Sequence, residues 1–185
     1  MAATPSNMMP LGTLAPAFSL PEVVTGKTAT LQELKSKVAT LTMFICNHCP
    51  YVKHVQGELV KLAKDYQPKG VSVMAINSND VVNYPEDSPE KMKAVAQQYA
   101  YPFPYLYDET QEVAKAYQAA CTPDFYLFDK DLKCVYRGQL DDARPKNEVP
   151  VTGKDVRAAL DTLLAGQPVN PDQKPSIGCN IKWKP

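Results

Sequence analysis

The chain has 185 residues, enough for one domain with a full hydrophobic core and too few for two comfortable ones. Lys and Arg number 20, as do Asp and Glu, and charged residues make up 22%, so no net field draws the chain toward nucleic acid or anionic lipid. No stretch approaches the roughly 20 apolar residues that span a bilayer, and no basic segment followed by an apolar run opens the chain. The five cysteines, Cys46, Cys49, Cys121, Cys134 and Cys179, are too few and too scattered for a secreted disulfide scaffold. An odd count without a leader points to a reducing compartment holding one special pair, and the cytoplasm is the expected location.

Met1 to Ala15 shows no regular period and contains Pro5 and Pro10, which reads as an irregular arm. Ala17 to Leu20 alternates, Gly26-Lys27 makes a turn, and Thr28 to Leu31 resumes an extended pattern, together a short hairpin. Thr30 is placed to cap a brief helix over Leu31 to Lys35, with Glu33 in its first turn. Val38 to Cys46 is a nearly continuous apolar run rich in β-branched residues, the pattern of a strand buried on both faces.

From Cys49 to Tyr66 the period changes to that of a helix. Val52, Val55, Leu59, Leu62, Ala63 and Tyr66 share one face, while Lys53, His54, Glu58, Lys61 and Lys64 fill the other. Val71 to Ile76 is a second buried strand, so the order is strand, helix, strand: a βαβ unit with a parallel pair. Asn77 to Asp87 is a polar loop, and Ser88-Pro89-Glu90 opens a helix to about Tyr99. A short strand over Pro102 to Asp108 and a helix over Thr110 to Ala120 follow. Asp124 to Phe128 and Cys134 to Gln139 read as a hairpin turned at Asp129-Lys130-Asp131. A last helix, Asp155 to Leu164, closes at Gly166. Gln167 to Pro185 cannot form a core of its own and must lie on the domain or hang free. The expected division is a domain over 14–165 and a tail over 166–185.

Cys46-Asn47-His48-Cys49 stands where a buried strand ends and an amphipathic helix begins. The unpaired N–H groups and the positive dipole end of that helix stabilise a thiolate and lower the pKa of a cysteine there. The i, i+3 spacing brings the two sulfurs close enough to bond. Cys46 is expected to be the more exposed, more acidic, attacking thiol, with Cys49 resolving the mixed disulfide. His48 adds positive charge when protonated. Cys121-Thr122-Pro123 precedes a late strand, and a proline at that position fits a cis peptide beside the dithiol, leaving the Thr122 backbone to pair with a substrate strand. A metal site is the sharper rival: Cys46, His48 and Cys49 are all ligand types, with Cys121, His54 or Cys179 as a distant fourth.

With these two features in place the chain resembles the thioredoxin superfamily, in particular its redoxin branch, which holds the alkyl hydroperoxide reductase/thiol-specific antioxidant proteins and the TlpA/ResA-type thiol–disulfide oxidoreductases. Ala15 to Pro21, Gly26-Lys27 and Leu31 to Lys35 are similar to that branch's N-terminal hairpin, and Ile177 to Lys184 is similar to the ending of a leaderless subgroup. The resemblance implies an α/β fold of thioredoxin type, with a central mixed β-sheet flanked by helices, an N-terminal β-hairpin and an extended C-terminal tail. It implies thiol–disulfide exchange with Cys46 as nucleophile, Cys49 as resolving cysteine and Pro123 as the cis-proline. His48 and Thr122 complete the expected catalytic group. No cofactor is implied, and the partners would be protein or small-molecule disulfides and an external thiol reductant, with neither nucleic acid nor membrane. Asp80 lies near the place where TlpA/ResA-type proteins keep an acid, although a solvated loop aspartate is the simpler reading.

The departures from the family pattern matter. Ile45 stands where thioredoxin-like sites usually carry Trp, and Asn47-His48 stands where they carry Gly-Pro. The Pro-x-x-x-Thr-x-x-Cys pattern of peroxiredoxins fits neither Cys46 nor Cys49, which makes a thiol-dependent peroxidase the weaker enzyme reading even with Arg137 available. A non-enzymatic copper carrier on the same fold is the other alternative. Cys134 reads as a small core residue and Cys121 as a packed helix-end cysteine or a neighbour of the dithiol. Cys179 is the spare thiol that a folded-back tail would bring to the site.

Overall fold

The structure is a computed structural model and describes residues 3–185. Its centre is β4 (Ala39–Phe44), all six of whose residues are buried. A strand covered on both faces buries every side chain, so Thr40 and Thr42, which alternate with Ala39, Leu41 and Met43, are as buried as they are. It pairs in parallel with β5 (Val71–Asn77) and antiparallel with β8 (Asp124–Phe128). Outside these lie β6 (Tyr105–Tyr107), parallel to β5, and β9 (Cys134–Gly138), antiparallel to β8. The result is a mixed sheet in the order β6-β5-β4-β8-β9.

Each face of the sheet carries its own core. On one, Leu41, Met43 and Ile45 pack with Val52, Val55, Leu59 and Leu62 of α2 (Pro50–Tyr66) and with Val156 and Leu160 of α5 (Lys154–Leu164). On the other, Phe44, Met74, Ile76, Tyr126 and Phe128 meet Leu31 of α1 (Leu31–Leu34) and Val113, Ala114 and Tyr117 around α4 (Glu112–Ala116). Burying a side chain such as Leu59 contributes about 1.5–3 kcal/mol, so α2 is held by its apolar stripe. Thr30 caps α1 through a full capping box with Glu33. The hairpin is β2 (Ser19–Pro21) against β3 (Thr28–Thr30), and α3 (Pro89–Gln98) sends Met92 and Ala96 into the first core. Among the described residues no helix is long and apolar enough to cross a membrane.

Two expectations are corrected, and one open alternative is decided. The helix expected over Thr110 to Ala120 is the short α4, bounded by Gln111 and Gln118 at φ 66° and 56°, a left-handed backbone that helical turns cannot contain. The N-terminal arm is not irregular throughout: β1 (Ala3–Pro5) pairs with β10 (Ile177–Asn180) of the tail, and Met9 is fully buried. Met1 and Ala2 lie outside the described residues. The tail lies on the domain, because β10 also pairs with β7 (Cys121–Thr122), completing a sheet in the order β1-β10-β7. Of its apolar anchors Ile181 is buried, whereas Ile177 and Trp183 are exposed.

Gly178 makes this docking possible. A Cβ there would stand 2.0 Å from the Thr122 carbonyl oxygen, and that oxygen belongs to backbone that cannot swing away. Gly178→Ala is therefore expected to cost on the order of 1–3 kcal/mol in urea unfolding and to raise the alkylation rate of Cys179 as β10 lifts.

Candidate active site

The dithiol crosses the carboxyl ends of the parallel strands, where ligands bind in open α/β sheets. The Ile45 amide still donates to the Ile76 carbonyl at 3.0 Å, after which the chain leaves the sheet. Cys49 is the N-cap of α2, in extended conformation, and Pro50 occupies the first helical position, where a missing N–H costs nothing. Asn47 is fixed from three sides. Its amide nitrogen donates to Asp87 Oδ1 at 2.7 Å, its Nδ2 to the Glu86 carbonyl at 2.8 Å, and its Oδ1 accepts from the Tyr105 hydroxyl at 3.0 Å.

The structure gathers four of the expected residues directly. Cys46 Sγ lies 3.4 Å from Thr122 Oγ1, Cys49 Sγ lies 3.3 Å from the Thr122 carbonyl oxygen, and the Thr122–Pro123 peptide is cis. His48 packs at 5.6 Å over Tyr84 and hydrogen-bonds through Nδ1 to Asp87 Oδ2 at 2.5 Å. One expectation fails here. The backbone of Thr122 is not open to a substrate strand, because Cys179 of β10 already stands opposite it in the antiparallel ladder.

Cys46 is the more accessible of the pair only marginally, at 2% against 0% for Cys49, so neither thiol stands out in solvent. Nor does Cys46 lie in the first helical turn, since α2 starts only after Cys49. The acidity follows from that placement. Cys49 is lowered to about 5, chiefly because the Cys46 thiol donates to it; burial opposes this, and the Cys179 thiol and the amides of Val52 and Cys179 assist. The Val52 amide faces the sulfur without closing a conventional cap hydrogen bond. Cys46 is correspondingly raised, first by giving its proton to Cys49, then by burial and by the Asp87 carboxylate, with only the Thr122 hydroxyl opposing. These shifts favour placing the pair's negative charge on Cys49, against the Thr122 carbonyl oxygen 3.3 Å from its sulfur. When Cys49 is protonated, the Thr122 carbonyl is there to receive its S–H.

Asp87 is the site residue that the sequence did not single out. It is fully buried and accepts from the Asn47 amide, His48 and Asn79. Burial alone would raise its pKa, but these donors outweigh it and hold the carboxyl below its usual range. His48 is raised, mainly by its hydrogen bond to Asp87. In sequence Asp87 is one acid of a polar loop that also holds Asp80 and Glu86, and nothing local marks it. Asp80 spends its carboxylate on the Val82 amide and Asn83. Cys46, His48 and Asp87 also offer donor atoms within 4.8 Å of one another, a set able to hold a metal ion, and His48 Nε2 is buried with no hydrogen-bond partner among the described residues.

A match to the AhpC/TSA family runs over residues 11–137, more than half of the chain. The chain belongs to the AhpC/TSA family. A solved structure of an uncharacterised conserved protein from Geobacillus kaustophilus is 70% identical, covering 100% of this chain and 98% of that one at a TM-score of 0.99. A hypothetical protein from Sinorhizobium meliloti 1021 is 51% identical over 98% of each chain, at 0.95. The thioredoxin domain of a thiol-disulfide oxidoreductase from Bacteroides vulgatus shares the fold at 18% identity and a TM-score of 0.62, covering 73% of this chain and 92% of that one. No curated protein matches the sequence.

Within this AhpC/TSA chain Arg137 is already engaged, donating from Nε to the Met9 carbonyl at 2.7 Å and from a terminal nitrogen to Gln173 at 2.8 Å. His54 lies on the exposed face of α2. Cys134 is buried in the second core, on the opposite side of the sheet from the α2 core that holds the dithiol.

The His48–Asp87 pair has a defined pH window. A raised histidine stabilises fully below its unfolded pKa of about 6.5 and a lowered aspartate above about 3.9. The contribution is thus complete between these values, fades as pH rises through the raised His48 pKa, and fades as pH falls through the lowered Asp87 pKa. Asp87→Asn is expected to move the His48 ring titration, followed by NMR, to lower pH and to cost about 1–3 kcal/mol in stability.

Proposed function

We propose that the protein is a thiol–disulfide oxidoreductase in which Cys46 attacks a substrate disulfide while Cys49 first takes its proton and then resolves the product. The observation behind this reading is the placement of both sulfurs against Thr122 and its cis peptide to Pro123 at the N-terminus of α2, with Cys46 Sγ 3.4 Å from the Thr122 hydroxyl and Cys49 Sγ 3.3 Å from its carbonyl oxygen. Cys49 is enclosed by Cys46, Thr122 and Cys179 and has no accessible surface, which leaves Cys46 to meet a substrate.

The steps balance as follows. The Cys46 proton passes to the Cys49 thiolate, Cys46 Sγ bonds to one substrate sulfur, and the other leaves as a thiolate. Cys49 then gives its proton to that leaving group and attacks Cys46 Sγ, which releases the second substrate sulfur as a thiolate and closes the Cys46–Cys49 disulfide. An external thiol reductant restores the pair. The Thr122 hydroxyl, 3.4 Å from Cys46, supports negative charge on that sulfur during attack. His48 and Asp87 hold the Asn47 turn in place. A reducing compartment such as the cytoplasm suits a dithiol that works from its reduced form.

Access is from one side. With β10 on the Thr122 edge, a substrate enters over the open groove lined by Asn47, His48, Gln56, Glu86, Lys91 and Tyr99. That favours small disulfides, or protein loops that need no strand pairing. Peroxide chemistry is the weaker reading, since Arg137 is engaged with Met9 and Gln173. A metal-carrier reading is favoured by one observation, the Cys46, His48 and Asp87 donor set with His48 Nε2 unpartnered.

Reduction of hydroxyethyl disulfide, run beside hydrogen peroxide consumption, tests these readings. Cys46→Ser is expected to lower disulfide turnover by roughly 100-fold or more, and Cys49→Ser to accumulate a mixed disulfide visible by mass. Turnover of peroxide but not of disulfide would transfer the assignment to a peroxidase, and stoichiometric copper on the reduced protein without turnover would transfer it to a carrier.

A further inference from the structure

Cys49 shares its buried core with a second cysteine besides Cys46, namely Cys179. Thr122 and Cys179 stand directly opposite each other in the β7–β10 ladder, and opposed residues on antiparallel strands project to the same face. The Thr122 side chain reaches Cys46, so the side of β10 that carries Cys179 is the dithiol side. Cys49 Sγ, 3.3 Å from the Thr122 carbonyl oxygen, lies on that same side, and the two cysteines shift each other's acidity in opposite directions, Cys49 down and Cys179 up. Cys121, one residue earlier on β7 and opposite Asn180, projects the other way.

Cys179 is held in place by unusually complete anchoring for a chain terminus. Gly178 allows the tail backbone to press against Thr122, the Lys182 amide donates to Asn79 Oδ1 at 2.8 Å, and Asn79 in turn donates to Asp87. The Asp80 amide and Gln111 both donate to the Lys182 carbonyl at 2.8 Å. The tail is thus tied to the same carboxylate that orders Asn47 and His48. Cys179 is 2% accessible, so an external disulfide does not reach it in this arrangement. The sulfur it meets is Cys49.

We propose that Cys179 is a third redox thiol that exchanges with Cys49. The inference rests on the dithiol reading above. In the oxidised protein Cys179 Sγ attacks Cys49 Sγ. The Cys49–Cys179 bond forms, the Cys46–Cys49 bond breaks, its electron pair leaves with Cys46 Sγ, and the Cys179 proton ends on Cys46. The exchange is an isomerisation and consumes no oxidant. It returns Cys46 to a thiol while the protein stays oxidised by two electrons, and it ties β10 covalently to the mouth of α2. In the reduced protein, burial and donation to the Cys49 thiolate keep the proton on Cys179, whose pKa is pushed up to about 12. Once Cys49 is in a disulfide, that thiolate is gone.

The test is disulfide mapping by mass spectrometry after oxidation with glutathione disulfide, which is reduced to two glutathione thiols for each bridge formed. Samples are acid-quenched, unfolded and alkylated. Wild-type protein is expected to give both Cys46–Cys49 and Cys49–Cys179 peptides. Cys179→Ser is expected to give only Cys46–Cys49. Wild type bridged only at Cys46–Cys49, with Cys179 alkylated in every oxidised molecule, overturns the third thiol and leaves the dithiol reading standing; a fraction of Cys179 protected in a Cys49–Cys179 peptide, with Cys46 alkylated in the same molecules, supports it. Wild type with no Cys46–Cys49 bridge at all would instead overturn the dithiol reading itself.

Discussion

A sulfur anion out of contact with water has to be surrounded by hydrogen-bond donors, and that constraint organises this site. Removing a charge from water without compensation costs many kcal/mol. Cys49 meets it with the Cys46 and Cys179 thiols and the amides of Val52 and Cys179. These four donors come from three structural devices: the dithiol loop, the tail strand and the first turn of α2. The tail is therefore as much a part of the site as the Cys-x-x-Cys segment. Charge-assisted hydrogen bonds of this kind are among the stronger ones that folded proteins make.

The sheet is what keeps these donors in register. β4 ends at Phe44 and α2 begins at Pro50, so the residues between them are forced across the carboxyl end of the parallel pair. β8 runs antiparallel beside β4, with Asp124 opposite Phe44, which delivers Thr122 and Pro123 to the same end. The buried carboxylate of Asp87 closes the remaining side by pinning the Asn47 amide and His48. The Asp87 carboxylate raises the pKa of both its neighbours in the site, His48 chiefly by a hydrogen bond and Cys46 by its charge.

Much of this was legible in the sequence wherever the signal is local. The apolar run of β4, the 3.6-residue stripe of α2 and the Thr30–Glu33 capping box each depend on neighbours in the chain, and the structure bears them out. The dithiol position and the Thr122-Pro123 segment were readable for the same reason. The failures involve partners distant in sequence. Ala3 to Pro5 and Ile177 to Asn180 are too short and too weakly apolar to announce strands; they become strands by pairing with each other and with β7. Asp87 looks like its acidic neighbours until burial and three donors single it out. Assigning the lower pKa to Cys46 assumed that the helix begins at the first cysteine. It begins after the second, and the N-cap sulfur inherits the helix's donors instead.

The claim that one sulfur of the pair is anionic well below neutrality is tested most directly by thiolate absorbance near 240 nm in the reduced protein as a function of pH. A step centred near pH 5, present in wild type and lost in Cys49→Ser, is the expected result. A first thiolate appearing only near pH 8.5, the range of an ordinary cysteine, would contradict the account.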